Sequence, residues 1–161
     1  MDTTTNSLPW TASLHTGDPR MDDTHHEFVD MLNEILATPQ DQQLPLYRKF
    51  LLHTVEHFAQ EERWMVATGF SAENCHAEHH ATILETMRAV ESHYEAGDTD
   101  IITRLAEALA EWFPGHAASM DAGLAIHMKN VGFDSVTETV ADPSKIQSVT
   151  MSGCGSVSCS H

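Results

Sequence analysis

The chain has 161 residues, which is the usual size of one domain, and 41% of them are hydrophobic. Its 24 acidic and 8 basic residues give a formal net charge of -16, which argues against binding to nucleic acid or to an anionic membrane, because both need a basic face. No apolar run could span a bilayer, the first ten residues do not resemble a secretory signal, and three scattered cysteines cannot form a disulfide framework. We therefore expect a cytoplasmic protein.

Hydrophobic residues recur at helical spacing in four stretches, and no stretch before residue 130 shows the alternation of a strand. This pattern predicts four amphipathic helices joined by short loops that contain glycine or proline. The helices are expected to begin near Asp22, Pro45, Ser71 and Asp98, and the first three to end near Pro39, Gly69 and Gly97. The predicted fold class is therefore all-α, with an up-down four-helix bundle.

The regions outside these helices predict the domain organisation. We expect an N-terminal arm over residues 1–20, the bundle over residues 21–129 and a C-terminal tail over residues 130–161. The tail is rich in Ser, Thr, Val and Gly, and it is expected to be either loosely ordered or laid over the bundle. Within the fourth helix, Pro114 predicts a kink because proline removes one intrahelical hydrogen bond.

The 12 histidines outnumber all lysines and arginines together, and several lie on the apolar stripes of the predicted helices. A buried charge is costly without a partner, and a metal ion can be the partner of several side chains at once. His57 and Glu61 are four residues apart and share one helix face, and His76 and His80 have the same spacing, which lets two imidazoles chelate one ion.

Two further histidines extend this set, and one carboxylate fits it poorly. His25 lies on the apolar face of the first helix, and His116 lies on that of the fourth. Asp121 is five residues beyond His116, which places it about 140° around a regular helix, and a kink at Pro114 is too early to bring it back. Helix geometry alone would not select Asp121 as a ligand.

Five histidines and two carboxylates are too many ligands for one zinc ion, so two metal ions are expected. Imidazoles with bridging carboxylates favour iron, although the same ligands accept manganese or a mixed pair. If both carboxylates bridge, three histidines give one ion five contacts and two histidines give the other four. A shared oxygen would then leave the second ion with a vacant position, where a diatomic molecule could bind.

The ordered motifs HFAQEERWM, CHAEHH and WFPGHAASMD resemble those of the hemerythrin family, in particular its bacterial single-domain members. The resemblance covers about residues 10–128. It implies a di-iron centre with an oxo or hydroxo bridge and reversible binding of dioxygen by a carrier, store or sensor. It also implies three sets of ligands: His76, His80 and His116 for one iron, His25 and His57 for the other, and Glu61 and Asp121 as bridges.

The chain departs from the family after the histidine of the fourth helix, where a bulky aliphatic residue is common. Here Ala117, Ala118 and Ser119 are all small, which predicts a roomier and wetter pocket that also admits peroxide, nitric oxide or azide. A di-iron peroxidase or a nitric oxide-handling enzyme is therefore one alternative to the oxygen-binding protein. The other is an iron- or redox-responsive interaction module.

In the interaction module, the tail cysteines Cys154 and Cys159 would provide the output, with a protein partner bound through the tail. These two residues are interpreted either as plain thiols or as a reversible disulfide, a clip for a soft metal or a docking tag. Cys75 is expected to be a buried, inert thiol. His53 lies one turn before His57 and is interpreted as a core histidine or as a residue behind the ligands.

Overall fold

The structure is a computed structural model that describes residues 7–70 and 74–146. Four long helices form the bundle: α1 (Pro19–Leu36), α2 (Gln43–Ala67), α3 (Cys75–Glu95) and α4 (Ile101–His116). Each helix packs against the next one along the chain, and α4 closes the ring by packing against α1. The predicted all-α fold with a four-helix bundle is confirmed. None of the helices in these residues is long and apolar enough to cross a membrane.

Helix α1 begins at Pro19, before the predicted start near Asp22, because Asp18 caps it. The Asp18 carboxylate accepts a hydrogen bond from the Met21 amide at 2.9 Å, and Pro19 occupies the first turn, where its missing N–H is not needed. Asp22, the expected start, instead accepts hydrogen bonds from the amide and hydroxyl of Thr16, each at 2.8 Å. The arm is thereby fixed to the first helical turn.

The fourth helix was predicted to kink at Pro114, but its irregular turn begins three residues later, at Ala117. Pro114 lies inside α4, and the chain then forms a five-residue π turn, Ala117–Asp121, before continuing as α5 (Ala122–Asn130). The Ala122 amide donates to the Ala117 carbonyl, five residues back. A π turn holds one residue more than an α turn, so it changes the face on which every later residue lies.

Two apolar clusters fill the bundle. The first contains Phe28, Phe50 and Phe113, and the second contains Trp64, Met65 and other residues. On α1, His25 lies between Met21 of the second cluster and Phe28 of the first. The polar residues of the candidate site therefore form a layer between two separately packed apolar regions.

The first part of the predicted tail folds against the bundle. Residues 133–134 (β1) and 139–140 (β2) pair as a short antiparallel hairpin, with Phe133 opposite Val140. Phe133 is buried in the second cluster, and Ile146 packs against that cluster. Of the two expectations for the tail, the laid-over arrangement holds as far as residue 146, and the hairpin was not predicted. Cys154 and Cys159 lie outside the described residues, and the proposed domain boundaries stay a prediction.

Candidate metal centre

All seven ligands suggested by the sequence come together in the polar layer of the bundle. Their side chains are buried, with at most 5% of any residue exposed. Helix α1 contributes one of them, α2 two, α3 two, α4 one and the π turn one. Their potential ligand atoms form two groups that could each hold a metal ion: Glu61, His76, His80, His116 and Asp121 in one, and His25, His57 and Glu61 in the other.

Glu61 divides its two oxygens between the two groups. Its Oε2 lies 2.7 Å from His57 Nε2 and 3.3 Å from His25 Nε2. Its Oε1 lies 3.2 Å from His76 Nε2 and 3.4 Å from His80 Nε2. A carboxylate placed in this way can donate one oxygen to each of two neighbouring metal ions.

Asp121 is divided in the same manner. Its Oδ2 lies 3.1 Å from His25 Nε2, whereas its Oδ1 lies 2.8 Å from His76 Nε2 and 3.1 Å from His116 Nε2. The two carboxylates thus separate His25 and His57 from the other three histidines. Two imidazoles therefore lie on one side of the pair of carboxylates and three on the other.

The π turn explains how Asp121 reaches the centre. In a regular helix its side chain would leave the face of His116, but the five-residue repeat of the π turn returns it to that face. Insertions of this kind are frequent at functional sites. The sequence contained no geometric sign of the turn, so only the family resemblance pointed to Asp121.

The hydrogen bonding within the centre is incomplete in a way that fits metal ligands. The Nε2 atoms of His76, His80 and His116 are buried without a hydrogen-bond partner among the described residues, as are Glu61 Oε1 and both oxygens of Asp121. Several of these atoms are close together, but their angles are poor for hydrogen bonds. Buried polar atoms are rarely left unsatisfied. Imidazole nitrogens and carboxylate oxygens that lie close together without forming hydrogen bonds to one another are typical of a site for a metal cation.

The two carboxylates strongly shift the pKa values around them. Burial alone would lower the pKa of His25, but the Asp121 and Glu61 carboxylates outweigh it and raise this pKa to about 10. The same balance raises the pKa of His76 to about 9. Burial lowers the pKa of His80 to about 4 and lowers that of His57.

Burial works against ionisation of Glu61 and Asp121, and repulsion by Asp121 adds to this effect at Glu61, but the surrounding histidines hold the pKa of both carboxyls well below the usual values. Without metal, the site therefore combines two carboxylates, protonated His25 and His76, and neutral His57 and His80. Both carboxylates are already in the ionised form in which they bind metal. Metal binding would displace the extra protons of His25 and His76.

Aromatic rings fix the orientation of the imidazoles. Phe58 stacks on His80, with ring centroids 3.8 Å apart and planes within 3°, and Trp112 stacks on His116 at 4.4 Å. On the other side, the edge of Phe113 meets His25 at 5.1 Å. These rings also limit access of water. Trp112 and Phe113 precede His116 in the motif WFPGHAASMD, whereas Phe58 directly follows His57 and was not singled out from the sequence.

The basis for a roomier pocket is wrong at two of its three positions. Ala118 and Ser119 are exposed, and the Ser119 hydroxyl donates to the Gly115 carbonyl, so neither lines the buried centre. Ala117 is buried in the first apolar cluster together with Phe113. The wider pocket itself stays a prediction.

Three residues near the centre have roles other than ligation. His53 Nε2 lies 2.9 Å from the Glu27 carboxylate, so this histidine is turned towards α1 rather than towards the ligands. Glu62, which the sequence analysis did not single out, places a carboxylate oxygen 3.9 Å from His80 Nδ1. Cys75 was expected to be an inert thiol, and this is wrong, because it is disulfide-bonded.

Comparison with known proteins agrees with this geometry. The sequence profile described as "Hemerythrin HHE cation binding domain" matches residues 16–125. The chain is also similar to a bacteriohemerythrin from Ralstonia nicotianae. The two are 31% identical over 134 residues, which cover 83% of this chain and 98% of that protein.

Proposed function

The chain belongs to the hemerythrin family, and on that premise we propose that it is a non-haem di-iron protein that binds dioxygen reversibly as a carrier, store or sensor. The observation that carries the proposal is the division of both carboxylates, each with one oxygen towards His25 and the other towards His76. A single metal ion would not require two carboxylates arranged in this way. A pair of ions accounts for both.

In this proposal the seven residues have separate roles. One iron would be held by His76, His80 and His116, the other would be held by His25 and His57, and Glu61 and Asp121 would each contribute to both. When bound, a pair of ferrous ions supplies the two electrons on which reversible binding of dioxygen depends. The iron with two histidines has fewer protein ligands, so it is the one expected to have room for the gas.

Apolar side chains of the protein would help to keep the binding of dioxygen reversible. The ring centroids of Phe28 and His57 lie 5.7 Å apart in an edge-on contact, and the Phe113 ring contacts both Phe28 and His25. These apolar rings surround the side of the centre that would receive dioxygen. They would exclude water from it, which would limit the access of protons to the bound gas.

The arrangement favours a binding protein over the enzyme alternatives. The peroxidase and nitric oxide-handling interpretations relied on small residues beside the vacant position, and Ala118 and Ser119 face solvent instead. Peroxide, nitric oxide and azide are then expected to compete with dioxygen for one position rather than to be turned over. We place the protein in the cytoplasm, where its acidic surface would favour solubility.

The proposal is tested by metal analysis and optical spectroscopy of one preparation. We expect two irons per chain and, after reduction, an absorption spectrum that forms in air and is reversed by argon. His80→Ala is expected to lose one iron and this reversible spectrum. His93→Ala, which alters an exposed residue of α3, is the matched control.

Three results would decide against the proposal. An iron-loaded protein whose spectrum ignores oxygen would contradict oxygen binding. Oxidation to the ferric state within seconds, with turnover of peroxide and a donor, would favour the enzyme. Retention of two irons and an unaltered spectrum in His80→Ala would remove this residue from the ligand set.

A further inference from the structure

The N-terminal arm carries a leucine into the apolar core of the bundle. Leu14 ends a short helical turn, Ala12–Leu14, which we call the arm turn, and only 1% of this residue is exposed. It belongs to the first apolar cluster together with Phe28, Phe113 and Ala117. The arm turn also packs against the π turn. A residue that precedes the four long helices is therefore buried among their side chains.

The arm is attached to α1 on both sides of the arm turn. Before it, the Trp10 ring stacks on the His26 ring, with centroids 3.6 Å apart. After it, the amide and the hydroxyl of Thr16 donate to the Asp22 carboxylate, each at 2.8 Å. These contacts place the arm turn alongside the part of α1 that carries His25.

Other contacts hold the arm without any group of the candidate metal centre. The Trp10 indole donates to His15 Nε2 at 3.0 Å, which closes the segment around the arm turn into a loop. The Leu8 amide and carbonyl pair with the side-chain amide of Asn33 at 2.7 and 2.8 Å. Because none of these partners is a proposed ligand, the arm keeps its place in a protein that contains no metal.

We propose that Leu14 forms a wall of the pocket for the diatomic ligand and limits how fast ligands and water exchange with that pocket. The inference rests on the di-iron function proposed above, which assigns the pocket to the iron of His25 and His57. Phe28 contacts His57, and Phe113 contacts His25. Both rings share one apolar cluster with Leu14, so the leucine completes the apolar surface on this side of the centre.

The small side chain of Ala117 leaves space that a residue of the arm can fill. Ala117 directly follows His116, is 1% exposed and is the first residue of the π turn. Protein cores are packed to high density, so the volume beside a buried alanine is normally filled by a neighbouring side chain. Since the arm turn packs against the π turn, Leu14 is in a position to fill it. The pocket is then narrower than the small residues after His116 predict.

A wall that belongs to a terminal arm makes ligand exchange depend on the attachment of that arm. Peripheral segments open locally at a lower free energy than the whole fold. Removal of the Trp10 stack would release the arm turn, whereas the proposed ligands would stay in place on the long helices and the π turn. Ligand exchange could therefore change without any change in the metal ligands.

The packing of Leu14 is tested first in the metal-free protein by a double-variant cycle. Leu14→Ala should lower the denaturation midpoint because it leaves a cavity. Ala117→Leu should lower it because the space is already filled. The protein with both changes should be more stable than the sum of the two effects predicts, since the new leucine fills the cavity. Additive effects would overturn the contact between residues 14 and 117.

Ligand exchange is then measured by stopped-flow absorption as azide binds to the ferric protein and leaves it. Leu14→Ala and Trp10→Ala should each retain two irons per chain and exchange azide several-fold faster. Ala117→Leu in the Leu14→Ala protein should restore slow exchange. Ile35→Ala is the matched control, because it truncates a buried aliphatic residue of the same cluster about 15 Å along α1 from His25. Its exchange rates should not change.

The outcomes separate this inference from the proposed function. Unchanged azide exchange in Leu14→Ala would overturn the pocket wall, and so would equal acceleration in Ile35→Ala, which would indicate a general loss of stability. Unchanged exchange in Trp10→Ala would overturn the dependence on the arm. A spectrum that ignores dioxygen, with azide exchange that is still faster in Leu14→Ala, would contradict oxygen binding and support the wall.

Discussion

The protonation of the metal-free centre leads to a quantitative prediction about metal uptake. At pH 7, pKa values of about 10 for His25 and about 9 for His76 mean that both imidazoles carry a proton in the absence of metal. A metal ion binds only the neutral ring, so each histidine must release its proton when the centre is loaded. His80, with a pKa of about 4, and His57, with a lowered pKa, release none.

Uptake of two ferrous ions at pH 7 should therefore release about two protons from histidines, plus one if a solvent water becomes the hydroxide between the ions. Between pH 7 and 8, the histidine contribution should raise the apparent affinity for the metal pair about 100-fold, because two protons are displaced, and the slope should flatten as the pH approaches 9. Both sites must be filled for this slope to appear.

Anaerobic calorimetry in buffers with different ionisation enthalpies measures the proton count, and nitrogen NMR of the metal-free protein assigns it. The imidazoles of His25 and His76 should be doubly protonated at pH 7 and those of His57 and His80 neutral. Neutral His25 and His76 in that spectrum, or an affinity that is flat between pH 7 and 9, would refute the electrostatic account of the centre.

Further predictions concern stability and the π turn. The free energy of unfolding of the metal-free protein should be highest near pH 6.5, as denaturant titrations can measure. Above this pH, the stabilisation from protonated His25 and His76 is lost towards pH 9–10, because their pKa values are raised in the folded state. Below it, stability falls towards pH 4, because His80 stays neutral in the folded protein while the unfolded chain takes up a proton. His80→Ala should lower the free energy of unfolding of the metal-free protein by ~3 kcal/mol, since it removes a buried ring that stacks on Phe58, whereas an unchanged denaturation midpoint would contradict the packing. Insertion of one alanine after Ala118 should turn the Asp121 side chain away by about 100° and reduce the iron content below two per chain. Deletion of Ala118 leaves the aspartate four residues after His116, the i, i+4 spacing of a regular helix, and should retain both irons. Equal iron contents in the two length variants would show that Asp121 is not a bridge.

The long helices and most of the centre could be predicted because both depend on local spacing. The pairs His57 with Glu61 and His76 with His80 repeat every four residues, so helical periodicity alone places each pair on one face. The start of α1 was less accessible, since Asp18 and Asp22 are both plausible caps and the choice depends on where Thr16 lies. Helix ends are decided by such single contacts.

Other features depend on contacts that a sequence pattern does not reveal. The π turn adds one residue to a helix whose hydrophobic stripe continues before and after it, so the sequence pattern gives no sign of the turn. Regular helix geometry therefore placed Asp121 away from the face of His116. Strands of two residues are too short for alternation to show, which is why the hairpin at Phe133 was missed. Spacing does not predict the disulfide at Cys75, since no other cysteine is near it in the sequence.

The position of the polar layer has a consequence for cooperativity. Because buried acids and imidazoles separate the cluster around Phe28 from the cluster around Trp64, the metal-free bundle has two hydrophobic halves joined by a polar middle. Ligands from all four long helices would meet on the metal pair, so loading would join the halves into one unfolding unit. Amide exchange should then change from two classes of opening in the metal-free protein to a single global class in the loaded one.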